Sequence, residues 1–159
     1  MSIDKFQIVD KNHPEKNLIV LIRPITDNYS DYECYCKLIG QLTSQFKHLS
    51  YETFHSTIND LKNELIAVCE VDNVVVGTIK VIMERKLYSD KCFVAHIEDV
   101  VIDLDYRGLG LGQNIVDYAL RFAQEMDCYK VKLYCKESNV AFYEKSGFHI
   151  DCIDMVKRF

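Results

Sequence analysis

The sequence predicts one α+β domain, a sheet carrying helices. Three observations predict it. Helical and strand-like segments alternate along the chain in a mixed order, with no repeat, low-complexity tract or linker dividing them. Asp72-Asn73 supplies turn chemistry between two apolar runs, which reads as a hairpin. The β-branched run Val100-Val101-Ile102 leads through Gly108, Gly110 and Gly112 into a helical pattern. The 159 residues suit a single domain spanning 1–159 with a sizeable core, and residues 1–17 read as a loose N-terminal arm.

Within that arm, charged and polar residues alternate around His13-Pro14, and Phe6 to Val9 is the one strand candidate. Leu18 to Ile25 is the first strand, ended by Pro24. Ser30-Asp31-Tyr32-Glu33 has the form of a capping box and opens a helix to about Leu42. Tyr32, Tyr35, Leu38, Ile39 and Leu42 make its apolar side. Thr43 to Leu49 is a polar connection, and Ser50 caps a second helix through Leu61. Leu65 to Val71 and Val74 to Met83 are the hairpin strands; Gly77 marks a bulge or a close backbone contact. Glu84-Arg85-Lys86 begins a loop that ends near Lys91. Phe93 to Ile102 is the central strand. The helix after the glycines runs from Gln113 to Met126, with Ile115, Val116, Ala119, Leu120 and Ala123 at helical spacing. Tyr129 to Cys135 is a further strand, Ser138 or Asn139 caps a short helix bearing Tyr143, and Phe148 to Phe159 closes the fold as one or two strands.

A net charge of −5 gives no global basic field for nucleic acid, so an anionic substrate needs a local basic patch. The seven cysteines are odd in number, match no zinc spacing and follow no signal peptide. They read as reduced cytoplasmic thiols, with Cys69, Cys92 and Cys152 in the core. No apolar run has the length of a transmembrane helix.

The glycine-rich turn points backbone N–H groups outward at the positive end of a helix, a place for a phosphate or pyrophosphate. Its spacing is neither G-x-G-x-x-G nor a P-loop, which needs a following Lys-Ser/Thr. Arg107-x-x-Gly110-x-Gly112 instead resembles the acetyl-CoA pyrophosphate loop of the GNAT N-acetyltransferase superfamily. One helix and one strand downstream, Asn139, Tyr143, Lys145, Gly147 and Phe148 resemble that superfamily's C-terminal signature. Both motifs in this order identify the chain as a member. The resemblance implies the GNAT fold, a mixed, mostly antiparallel twisted sheet flanked by helices on both faces, with acetyl-CoA as co-substrate and no metal.

From about Val81 to Phe159 the resemblance narrows. Glu84-Arg85-Lys86, His96-Ile97-Glu98-Asp99-Val100, Tyr106-Arg107-Gly108, Cys128-Tyr129-Lys130, and Asn139 with Phe142-Tyr143-Glu144-Lys145 resemble eukaryotic glucosamine-6-phosphate N-acetyltransferases. It implies that Arg107, Gly108, Leu109, Gly110, Leu111, Gly112 and Gln113 hold the pyrophosphate, while Val100, Val101 and Ile102 hydrogen-bond the pantetheine arm. Asn139, Tyr143, Glu144 and Lys145 line the rest of the coenzyme site. Glu98 and Asp99 face the sugar, and Thr43 lies near it. Lys86, Leu87, Tyr88, Ser89, Tyr129, Lys130 and Arg158 form a sugar-phosphate pocket, shared with the second subunit of a homodimer.

The chemistry is coherent with these residues. The attacking amine must lose a proton, which a carboxylate or a water it orients can take. Glu98 and Asp99 are adjacent on a strand and should point to opposite faces. The Tyr143 hydroxyl suits protonation of the leaving CoA thiolate, and a strand N–H can polarise the thioester carbonyl. Transfer is then direct, without an acyl-enzyme. One departure stands out. The family usually carries L-D-C after Cys-Tyr-Lys, with the aspartate at the amino group, and this chain has Leu133-Tyr134-Cys135. A phenol with an ordinary pKa near ~10 is a poor base, so Glu98 or a water takes the proton, or the sugar sits differently. Cys135 falls near the cofactor's sulfur. Blander readings pair Arg107 with Asp103 or Asp105, make His96 a hydrogen-bonded strand residue, and leave the cations as surface charge. A GNAT enzyme for a polyamine or a protein N-terminus, and a silent acyl-CoA-binding module, are the alternatives. The cations argue against a polyamine, and Tyr143 with the complete loop argues against a silent module.

Overall fold

The computed structural model describes residues 2–11, 13–87 and 93–157. Six strands form one sheet in chain order. β1 (Asp4–Val9), β2 (Asn17–Pro24), β3 (Glu64–Val71), β4 (Val74–Arg85) and β5 (Phe93–Ile102) pair antiparallel in succession, and β6 (Cys128–Leu133) runs parallel to β5. Helices α1 (Tyr29–Leu42) and α2 (Tyr51–Asn59) join β2 to β3, α3 (Leu111–Glu125) joins β5 to β6, and α4 (Val140–Glu144) follows β6. The architecture is the expected mixed, mostly antiparallel sheet.

Both faces of the sheet are covered, which explains why β3 is apolar almost throughout. Ala67, Cys69 and Val71 pack in the cluster with Leu111, Ile115, Val116 and Ala119 of α3. Ile66 and Val68 pack on the other side with Leu38 of α1 and Phe54 of α2. The hairpin turn needs two left-handed residues, and Asp72 (φ 49°) and Asn73 (φ 69°) accept that geometry. Asp72 also clamps the turn to β2, donating its N–H to the Ile19 carbonyl (2.9 Å) and accepting the Ile19 N–H (3.0 Å).

Gly77 meets both expectations at once. The β3–β4 register shifts beside it, and a Cβ there would lie 2.4 Å from Ile102 Cδ1 and 3.2 Å from the Val101 carbonyl oxygen. Gly77→Ala should therefore lower the unfolding free energy by about 1–3 kcal/mol in denaturant titration, the usual cost of overpacking. Trimming the clashing atom with Ile102→Val should recover part of that loss.

Several boundaries differ from expectation. The N-terminal arm carries a longer strand, paired with β2 from Asp4 onward. α1 is capped by Asn28, whose Oδ1 accepts the Asp31 N–H at 2.8 Å, and not by Ser30. Asn is as good an N-cap as Ser, and starting earlier buries Asp31 against Arg23. Ser50 does cap α2, which stops at Asn59. Glu84 and Arg85 remain on β4. α3 begins at Leu111, with Gly110 as N-cap. β6 starts at Cys128 and stops at Leu133. Asn139 stands at the N-cap of α4 without a side-chain cap bond. Residues 148–157 form no strand; the sequence alternation is there, but within one chain they meet no partner strand. Cys69 is buried as expected, Cys152 is exposed, and Cys92 lies outside the described residues. Among the described residues no helix is long and apolar enough to cross a membrane.

Candidate active site

The site arises where β5 outruns its neighbour. The β5–β6 ladder ends at Ile97 opposite Leu133, yet β5 continues to Ile102. From Glu98 onward the edge of β5 facing away from β4 carries no strand among the described residues. On its other side the register passes from Lys80 opposite Glu98 to Thr78 opposite Val101, so Asp99 and Val100 together oppose Ile79. This is a bulge, and it turns Asp99 to φ 51°, a left-handed conformation that aspartate tolerates. Val101 and Ile102 bury their side chains and Val100 packs at the edge of the α3 core, so these three face a ligand with backbone.

The bulge separates the two carboxylates. Glu98 is half-buried; burial first, then the Asp99 charge, holds its carboxyl above the ordinary range, against His96 and Lys80. Lys80 sits directly across, but its ammonium is taken by Glu64 at 2.8 Å, and Glu98 makes no ion pair with a described residue. Asp99 is exposed, and its charge acts on Tyr35 of α1, whose phenol burial foremost pushes up to about 12. Sequence reasoning placed Tyr35 in the core alone; its pairing with Asp99 depends on how α1 lies over β5, which no local signal carries.

Tyr143 is half-buried between the rings of Phe142 (4.8 Å) and Phe148 (6.0 Å). Its phenol is held above the ordinary value by burial first, then by Cys135 and Glu98. Tyr143 and Cys135 line one cleft, and the charge of Glu98 on β5 acts on the phenol. The Tyr143 hydroxyl keeps its proton at neutral pH, as a donor to a thiolate must. His96 is the hydrogen-bonded strand histidine, with Nε2 3.0 Å from Glu84 Oε2.

Beyond Ile102 the chain makes one 3₁₀ turn, Leu104–Tyr106, and enters the glycine loop. Gly108 (φ 78°) and Gly110 (φ 81°) are left-handed, and Gly112 leaves room for Phe142, whose ring would lie 3.2 Å from a Cβ there. The Gln113 and Asn114 amides both bond the Gly110 carbonyl, at 3.0 and 3.2 Å. The amides just before them have no intrahelical acceptor and stand at the positive end of α3, which makes an anion cradle. The Gln113 amide is used in the first turn, and its side chain donates to Ser146. Leu111 is buried and Leu109 packs against the core, so both serve through backbone only. Arg107 donates Nε–H to the Ile102 carbonyl (3.1 Å). It pairs with neither neighbouring aspartate; Asp103 is taken by Lys37 (2.7 Å) and Gln41 (3.3 Å).

The remaining expected residues scatter. Asn139, Glu144 and Lys145 are exposed on and beside α4. Thr43 caps the C-terminus of α1, two residues past Gln41, which bonds Asp103 and Leu104 at the glycine-loop end. Lys86 pairs with Glu84, Leu87 is 93% exposed, and Lys130 lies 5.8 Å from the centre of the Tyr129 ring. Lys130 opposes Val94, four residues from Glu98, about 13 Å down the strand. Tyr134 follows β6 and is exposed. A cleft of about 890 Å³ runs along β6 and is lined by Lys130, Tyr134, Cys135, Tyr143 and Glu144. Tyr88, Ser89 and Arg158 lie outside the described residues.

Residues 29–148 match the Acetyltransferase (GNAT) family. The chain belongs to that family. GNAT acetyltransferases use acetyl-CoA as co-substrate. A glucosamine 6-phosphate N-acetyltransferase of Candida albicans is 39% identical over 92 residues, 58% of this chain and 62% of that protein. One from Arabidopsis thaliana is 32% identical over 131 residues, 79% of this chain and 87% of that protein. The crystal structure of glucosamine-6-phosphate N-acetyltransferase from Arabidopsis thaliana superposes with a TM-score of 0.80 at 31% identity, over 88% of this chain and 98% of that one. These relatives agree with the fold and with the GNAT motifs read from the sequence.

Proposed function

We propose that this GNAT enzyme transfers the acetyl group of acetyl-CoA to the 2-amino group of D-glucosamine 6-phosphate. The products are N-acetylglucosamine 6-phosphate and CoA. The observation that carries the reaction is the open β5 edge, which joins the glycine loop to Glu98 and Tyr143. The names of the relatives support the sugar phosphate as acceptor. Glu98, directly or through a water, takes the proton of the attacking amine. The amine nitrogen bonds the acetyl carbon as the carbon–sulfur bond breaks, and the thiolate takes the Tyr143 proton. A free N–H of the bulged strand polarises the thioester carbonyl. No acyl-enzyme is formed. CoA release measured side by side with glucosamine 6-phosphate, glucosamine, spermidine and a peptide amine tests this. Turnover confined to the sugar phosphate supports it, and turnover with another amine alone sinks the sugar assignment.

The electrostatics give a pH prediction. Glu98 works as a carboxylate, so activity falls as pH drops through its raised pKa. The acid limb of kcat, which reports the bound complex, should lie above the ordinary glutamate value of about 4.3. Asp99→Asn removes the second cause of the shift and should move that limb to lower pH; an unmoved limb assigns the proton elsewhere.

A homodimer completes the reading. The outer edge of β6 is open among the described residues, and Ile150 (77% exposed), Ile153 (91%) and Met155 (90%) extend beside it without cover. Lys130 lines the cleft that holds Tyr143, whereas Lys86 follows the far end of β4, six residues beyond Lys80, which faces Glu98. A second subunit brings its own cations there. A monomer mass in light scattering at assay concentration overturns this. The six described cysteines are free thiols, in keeping with a reducing cytoplasm and a step towards UDP-N-acetylglucosamine; cell fractionation tests the location.

A further inference from the structure

We infer that Lys11, on the β1–β2 connection, is a ligand for a phosphate of the CoA moiety. The inference rests on the acetyl-CoA reading above. CoA brings a pyrophosphate and a 3′-phosphate to the glycine loop. Yet Gly108 to Gln113 reads Gly-Leu-Gly-Leu-Gly-Gln and holds no cation, and the Arg107 Nε–H is engaged with its own strand. Neutral amides orient a phosphate well, but one guanidinium beside them cannot balance the several negative charges that CoA brings.

The fold delivers one from far away in sequence. Lys11 Nζ lies 3.3 Å from where a Cβ on Gly108 would stand, so the ammonium occupies the space that the missing side chain leaves over the loop. The connection that carries it is held by two backbone bonds, Asp10 N–H to the Lys16 carbonyl (2.9 Å) and Lys16 N–H to the His13 carbonyl (2.8 Å). Lys16 pairs with Asp72 of the β3–β4 turn at 3.5 Å, which ties the connection to the sheet end where the glycine loop begins. Lys11 itself makes no ion pair with a described residue. A cleft of about 570 Å³ opens here, lined by Lys11, Tyr106, Arg107 and Leu109. Asp10 and Asp105 line it too, so the cleft is no general basic patch. Arg107 and Lys16 line it as well, and Lys16 is engaged by Asp72, so the Lys11 ammonium acts beside the Arg107 guanidinium and the loop amides.

Calorimetric titration of CoA and of 3′-dephospho-CoA into wild type, Lys11→Ala and Lys11→Arg tests it. Lys11→Ala should bind CoA about fivefold to tenfold more weakly, the scale of one charge-assisted contact at a partly exposed site. Lys11→Arg should restore most of the affinity. The deficit should shrink as salt rises from about 50 to about 500 mM. A deficit seen with both ligands assigns Lys11 to the pyrophosphate, and one seen with CoA alone assigns it to the 3′-phosphate; either supports the inference. If the wild type binds CoA and Lys11→Ala binds both ligands equally well, the inference is overturned and the acetyl-CoA reading stands. A wild type that binds no CoA overturns both.

Discussion

Tyr143→Phe should lower kcat by roughly 10²–10³-fold, the range of a positioned general acid, while leaving the KM for acetyl-CoA nearly unchanged. The substitution removes one oxygen and keeps the ring. Contacts of that ring with Phe142 and Phe148 survive, so α4 and the cleft wall should hold their shape. What disappears is the proton for the thiolate. The sign of the pH dependence follows from the raised phenol: burial, Cys135 and Glu98 all disfavour the phenolate. The wild-type enzyme should therefore hold its kcat to a pH above the ordinary tyrosine value of about 10 before this group limits it. CoA thiol release under saturating substrates reads the effect. A variant within about threefold of wild type would remove Tyr143 as the acid, since general-acid catalysis supplies far more than that.

The largest effect on stability should come from Asp31→Ala. Asp31 is 2% exposed and accepts both Arg23 guanidinium arms at 2.8 Å, the Thr26 N–H at 2.8 Å and the Thr26 hydroxyl at 2.9 Å. Arg23 in turn donates Nε–H to Glu70 at 2.6 Å. Burial alone pushes the Asp31 carboxyl up, but the bonds from Arg23 and Thr26 outweigh it and hold the group below the ordinary value. Deleting it leaves a guanidinium that is only 17% exposed with Glu70 as its remaining carboxylate, and loosens the first turn of α1 from β2. The expected loss is about 3–5 kcal/mol in denaturant unfolding, as for other broken buried pairs. A folded pKa below the unfolded one gives stability that is fully present above pH ~4 and fades as pH falls through the folded value. Wild type should show that acid loss, and Asp31→Ala should show less of it. Replacing Arg23, Asp31 and Glu70 together with apolar residues should cost less than Asp31→Ala alone, because no charge is then left buried. A single-variant loss below about 1 kcal/mol would reduce the cluster to the level of a surface pair.

By itself the sequence determined the features written within a few residues of each other. The Asp72-Asn73 hairpin, the α3 stripe from Ile115 to Ala123, the Ser50 cap and the glycine turn are local patterns, set by left-handed tolerance, helical spacing and unpaired amides. The motif resemblances then marked Glu98, Asp99 and Tyr143. Only the tertiary structure decided the rest. Glu98 and Asp99 diverge because β4 places one residue against two of β5, and a register between strands is not encoded at either residue. Gln41 bonds Asp103 and Leu104 because α1 lies across the end of β5. Asn28 displaces Ser30 as cap because the earlier start lets Asp31 meet Arg23. The tail from Phe148 alternates like a strand and forms none, since a strand needs a partner edge. Lys11 reaches Gly108 by the pairing of β1 with β2. In each case the deciding partner is distant in sequence, and charge pairing, strand register and close approach depend on distance in space.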